Sequence, residues 1–165
     1  MGFWGYYVVG HGSRPLAELD ALSGVRDGLA LHERRADGWQ IWETGVPDVG
    51  SMAKLAEDSG APALFGFVMD SACVAVEAAG PVSGAWNACL ARDAMAGFLA
   101  ADGKEPDDLF LPPQDAAERA AAWAEEAGRT PAAVNDLVSV LRAPAEPSAE
   151  LLFFRFLERL GLPRQ

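Results

Sequence analysis

The side chains with chemistry to offer are concentrated first in Val9-Gly10-His11-Gly12-Ser13-Arg14. This string follows an apolar run and sets an imidazole, a hydroxyl and a guanidinium side by side. A neutral imidazole is a common ligand of divalent transition metals. Backbone N–H groups at a helix start, with Ser13 and Arg14 beside them, suit an anion such as phosphate. The string is neither G-x-x-x-x-G-K-[ST] nor G-x-G-x-x-G. Its simplest role is a turn that ends a strand, with Ser13 capping the helix that follows.

Asp70-Ser71 lies at a strand end, where nucleophiles and carboxylates often sit. A serine nucleophile needs a base within reach, and His11 and His32 are the two imidazoles in the chain. No G-x-S-x-G elbow surrounds Ser71, so a turn is the preferred reading. Cys73 and Cys89 have neither C-x-x-C nor zinc spacing and fall in apolar stretches, as buried thiols do. Asp107-Asp108 and Glu125-Glu126 are adjacent in sequence, so neither pair converges on one point of a helix. They read as solvated charges. Trp4, Trp39, Trp42, Trp86 and Trp123 fall on separate elements and fit a core better than a ligand site.

The G-H-G-S-R string resembles the start of the class II tetrapyrrole chelatases, the CbiX-like and sirohydrochlorin-type proteins. The resemblance covers Val9 to Arg14. It implies that His11 helps to bind the metal being inserted, cobalt, nickel or iron. That family supplies a second histidine from much later in the chain and uses a parallel α/β sheet. Here the other histidine is His32.

Charge narrows the partners. Acidic residues number 24 against 13 basic ones, a net charge of −11. Nucleic-acid binding needs a clustered positive surface, and the tight basic pair Arg34-Arg35 sits beside Glu33 and Asp37. Nucleic acid and anionic membrane are therefore poor partners. No apolar stretch approaches the roughly 20 residues that span a bilayer. The N-terminus lacks the basic start and cleavage site of a secretory signal, so a cytoplasmic location is expected. Lys54 and Lys104 are the only lysines, against eleven arginines, a bias expected of a high-GC bacterial genome.

The elements that position these groups follow from pattern. Phe3–Gly10 reads as a strand, and Pro15 opens a short helix that Gly24 stops. A hairpin spans 29–43 around Asp37-Gly38, a favoured type I′ pair. A helix from Asp48 or Val49 ends at Gly60. A second hairpin spans 62–79. With Asp70-Ser71 as its loop, Phe67 faces Val74 and Phe65 faces Val76. The sheet is thin near Gly66 and Ala75, where a helix can approach the backbone. Trp86, Leu90, Ala94 and Phe98 recur every four residues and predict a helix over 86–100. Residues 104–113 form an acidic, Pro-rich connection. Helices then follow over 114–127, after the Thr130-Pro131 cap, and over 148–160.

These elements predict an α+β fold: an antiparallel or mixed sheet of about five strands with packed helices, followed by three C-terminal helices. One domain spans 1–165, with an α+β part over 1–103 and a helical part over 104–165. The expected function is noncatalytic binding or protein interaction, with no cofactor. One alternative is a metal-handling, chelatase-like protein that uses His11 and a divalent transition metal, with Ser13 and Arg14 as further ligand-binding residues. Another is a small-molecule binder with an aromatic pocket between sheet and helices. In the last helix, Ala149, Leu152, Phe153, Phe156, Leu157 and Leu160 form the core stripe. Leu151 and Phe154 lie on the opposite side and are the expected contact with a protein partner or a second copy of the chain.

Overall fold

Tyr6, Tyr7, Val8 and Val9 are strong β-formers, and they build the central strand β1, Gly5–His11. The computed structural model describes residues 2–46 and 49–163. β1 pairs antiparallel with β3 (Trp39–Thr44) on one side and β4 (Ala63–Met69) on the other. β2 (Ala30–Arg34) lies outside β3, β5 (Cys73–Gly80) beside β4, and β6 (Gly84–Leu90) at the far edge. The sheet is six-stranded and antiparallel, in the order β2-β3-β1-β4-β5-β6. The fold is α+β, with one strand more than the five expected.

The extra strand is β6, which occupies the first half of the helix expected over 86–100. Helix α2 is confined to Arg92–Leu99. Residues four apart share a face in a strand as well as in a helix, so Trp86 and Leu90 fit both patterns. The alternation of Trp86, Ala88 and Leu90 decides for the strand, and all three point into the core.

Both hairpins form, each with a shifted register. In the central one Met69 pairs with Cys73, Phe67 with Ala75 and Phe65 with Glu77. The loop contains Ala72 as well as Asp70 and Ser71, and the Ala72 N–H donates to the Met69 carbonyl. One extra loop residue moves Val74 and Val76 to the opposite face from Phe65 and Phe67. In the first hairpin Asp37 and Gly38 take the left-handed conformation expected of them, at φ 62° and 87°. Arg34 then pairs with Gln40, and a bulge separates Leu31 from Glu33.

One face of the sheet carries Tyr7, Val9, Ile41, Leu64, Val74 and Val76. It is covered by α4 (Pro113–Glu126), α5 (Val134–Arg142) and α6 (Ala149–Arg159). The C-terminal helices therefore share the main core with the sheet. Ser148 caps α6 by accepting from the Leu151 N–H, and the whole expected stripe of that helix is buried. Phe153 lies against Gly66, where an added Cβ would meet its ring carbon at 2.5 Å. α5 begins beyond Thr130-Pro131, with Ala133 as its N-cap.

The opposite face carries Tyr6, Val8, Trp42, Phe65, Phe67 and Glu77. One end is covered by two 3-10 segments, Leu16–Glu18 and Asp20–Gly28, and by α1 (Met52–Ser59). These 3-10 segments replace the single helix expected after Pro15, and Gly24 lies inside the second. α1 starts later than expected; Asp48 lies outside the described residues. The other end is covered by α2 and the short α3 (Pro106–Leu109). Among the described residues no helix is long and apolar enough to cross a membrane.

Candidate functional site

Gln40 organises the G-H-G-S-R loop. It sits on β3 at 1% exposure. Its amide nitrogen donates to the Gly12 and Arg14 carbonyls at 3.0 and 2.9 Å. Its oxygen accepts from the Leu16 N–H at 3.0 Å and the Trp42 indole at 2.8 Å. Gly12 N–H also donates to the Gly38 carbonyl. Of the N–H groups that an anion would use here, those of Gly12 and Leu16 are thus committed within the protein. Ser13 makes no cap, because the N-cap of the first 3-10 segment is Pro15. Arg14 is exposed and pairs with Glu18 at 3.6 Å.

His11 lies at the end of β1 against Trp39, with Nε2 2.7 Å from the Asp37 carbonyl. It lines a cavity of about 430 Å³ together with Trp39, Val82 and Glu126. His32 is elsewhere. It touches Tyr7, which lies four residues back along β1, a distance of ~13 Å. The bulge in β2 turns its ring onto Phe154 at 5.4 Å, and Nδ1 lies 3.5 Å from Glu43. Burial, then the charges of Glu43 and Glu150, hold the Tyr7 phenol well above its ordinary pKa. The structure does not bring His11 and His32 together. Among the described residues no group of three or more His, Cys, Asp or Glu side chains could hold a metal ion.

Phe154 corrects the expectation for α6. It is 5% exposed, packed on Tyr7 and His32, while Leu151 is 40% exposed. A helical wheel places Phe154 opposite the core stripe, but the bulged β2 reaches over to cover it. The two residues therefore form no joint surface patch.

Glu126 corrects another expectation. It is no solvated charge: its carboxylate accepts from the Val82 N–H, the Ser83 N–H and the Ser83 hydroxyl, closing the β5–β6 turn. Partial burial pushes its pKa up, but those three hydrogen bonds outweigh it and hold the group below the usual glutamate value. A carboxyl depressed in the folded state contributes stability above its unfolded pKa of about 4.3, and loses it as pH falls through the folded value. We expect the melting-temperature gap between wild type and Glu126→Gln to be constant near neutrality. It should shrink below about pH 4.3. A gap unchanged down to acid pH would contradict this role.

The other expected sites are structural. Ser71 takes a left-handed φ of 53° and is held there by four hydrogen bonds. Its N–H donates to the Phe3 carbonyl, and its carbonyl accepts from Ala149. Its hydroxyl accepts from the Phe3 N–H and donates to Glu150. It ties the N-terminus, the β4–β5 loop and α6 into one knot, with a carboxylate and no imidazole beside it. Burial pushes the Cys73 thiol up to about 11 and the Cys89 thiol to about 12, out of the range of reactive thiols. Arg35, of the expected basic pair, is buried. It donates to the Leu162 carbonyl at 2.6 Å and to Glu33 at 3.1 Å.

A cavity of about 710 Å³ lies between the β4–β5 loop, the start of α2 and the chain after α5. Its walls are mostly Ala and Pro, and its Arg92 is committed to Asp107 and the Leu111 carbonyl.

A different groove carries recognisable chemistry. Between the two covers on the second sheet face lies a cavity of about 420 Å³, lined by Tyr6, Phe65, Phe67, Ala75, Glu77 and Phe110 among others. Tyr6 stacks on Phe67 with centroids 4.4 Å apart and planes 8° from parallel, and on Phe65 at 5.4 Å. Trp4, 52% exposed, meets Phe67 and Phe98 beside it. Asn87 fixes the far wall: its amide donates to the Leu109 carbonyl and accepts from the Leu111 N–H. Tyr6 joins Phe65 and Phe67 only through the pairing of β1 with β4, but Phe65 and Phe67 stand two residues apart on one strand, so their common face was legible. The wall was not, because Leu109 and Phe110 come from the stretch read as a connection.

No family model matches the sequence, and no curated protein and no solved structure is significantly similar to it.

Proposed function

We propose that this chain is a noncatalytic, cytoplasmic small-molecule-binding protein, and that its site is the aromatic groove between the sheet and α3. The observation that carries the reading is the stacked Tyr6–Phe67 pair, extended by Phe65, partly open to solvent inside a groove of ligand size. Pockets of about 300–1,000 Å³ lined by aromatics with a few polar groups are the usual form of such sites. Ring faces recognise flat apolar ligands by stacking. The noncatalytic part rests on the commitments of the chemically capable groups: Ser71 is a loop knot, both thiols are buried, and the G-H-G-S-R backbone is bound by Gln40. Two free, buried cysteines suit a reducing compartment.

The test is calorimetric titration of the purified protein with quinoline, a neutral planar ring at neutral pH. Binding is expected, and two variants should weaken it by about tenfold or more. Phe67→Ala removes a stacking face, and Ala75→Phe fills the groove floor. Absence of binding to the wild type, or equal binding by both folded variants, would sink the reading.

A further inference from the structure

Resting on that reading of the groove, we infer that its ligand is a planar aromatic cation and that Glu77 selects it. Glu77 stands in the middle of β5, a strand flanked on both sides, with Phe65 and Asn87 as its cross-strand neighbours. The aromatic groove meets a second cavity here, of about 520 Å³, lined by Ser51, Met52, Trp86 and Arg119 as well. Glu77 and Asn87 line both.

Apart from the Trp86 indole N–H, which is buried with no partner among the described residues, the neighbouring polar side chains are spent on the fold. Asn87 uses both ends of its amide on the chain around Leu109 and Leu111. Arg119 donates to the Ser83 and Ala85 carbonyls. The Ser51 hydroxyl accepts from the Lys54 N–H. The exposed Glu77 carboxylate makes no hydrogen bond or ion pair among the described residues. A sheet-face carboxylate beside stacked rings, with no partner of its own, presents an acceptor and a negative charge to whatever lies on those rings.

Both features favour the same ligand. Aromatic faces attract cations through the ring quadrupole, and a carboxylate adds a charge-assisted contact. The net charge of −11 draws cations toward the protein and repels anions. A flat ring bearing a quaternary or protonated nitrogen satisfies the stack and the carboxylate together.

The experiment compares three ligands of one shape: 1-methylquinolinium, quinoline and 1-naphthoate. The cation should bind wild type about tenfold more tightly than quinoline, and the anion more weakly than either. Glu77→Gln should abolish the preference for the cation and leave quinoline binding unchanged. Glu125→Gln removes the same charge from an exposed site on α4, outside the groove, and should keep the preference. Equal binding of cation and quinoline by wild type overturns the inference while the groove reading stands. So does a preference that survives Glu77→Gln, or one that Glu125→Gln removes as fully. If none of the three binds wild type, the groove reading falls and this inference with it.

Discussion

Gln40→Leu should destabilise the protein by about 3–5 kcal/mol, lowering the melting temperature by roughly 10 °C or more. Glutamine offers two N–H donors and two acceptor lone pairs, and Gln40 uses all four on Gly12, Arg14, Leu16 and Trp42. Leucine matches its bulk and none of its bonding. The Trp42 indole and the Leu16 N–H would then lie buried without partners, each costing about 1–3 kcal/mol unless the loop opens to water. Trp42→Phe is the internal standard. It removes one of the four bonds and should cost much less. Amide exchange at Leu16 should accelerate in Gln40→Leu and stay nearly unchanged in Trp42→Phe. If the two variants melt together, Gln40 does not hold the loop.

Gln40 also shows why the sequence hid this loop's role. In a hairpin strand, Gln40 alternates with Trp39 and Ile41, and a polar residue at such a position reads as solvent-facing. The cover over it is a pair of 3-10 segments whose Leu16, Leu19, Leu22 and Val25 recur every three residues. That apolar side, and Leu29, Leu31 and Trp42 on the hairpin, announced a cover on this face, but nothing placed it over Gln40 in particular. The same limit acted at Phe154, where β2 covers a position by means of a bulge. Strands rich in β-formers or bounded by turn residues, and a capped helix with a clear stripe, were legible: β1, both hairpins, and α6 from Ser148. Registers were not, because a single loop residue such as Ala72 moves every pair along the strand. Among the candidate sites, the turn at Asp70-Ser71 and the buried thiols were readable from local context. The aromatic groove needed strands β1, β4 and β5 placed side by side, and then α3 placed across them.

Phe153→Ala should cost about 3–5 kcal/mol, and Gly66→Ala should behave oppositely in the two backgrounds. Phe153 is fully buried, with its ring 5.6 Å from that of Tyr7 and nearly parallel to it. It lies over Gly66, where an added methyl would meet its Cε1 at 2.5 Å, its Cζ at 2.8 Å and its Cδ1 at 3.0 Å. In wild type the extra methyl forces ring and strand apart, an overpacking cost of about 1–3 kcal/mol. That outweighs the gain of about 0.4–1 kcal/mol from stiffening a glycine. In Phe153→Ala the ring is gone and a cavity stands in its place. The Gly66 methyl then fills part of that cavity and keeps the backbone gain, so it should stabilise. Residues in direct contact couple in this way, whereas distant ones add. Denaturant unfolding of wild type, both single variants and the double variant measures the coupling. If Gly66→Ala costs the same with and without the Phe153 ring, α6 does not rest on the β4 backbone at this point.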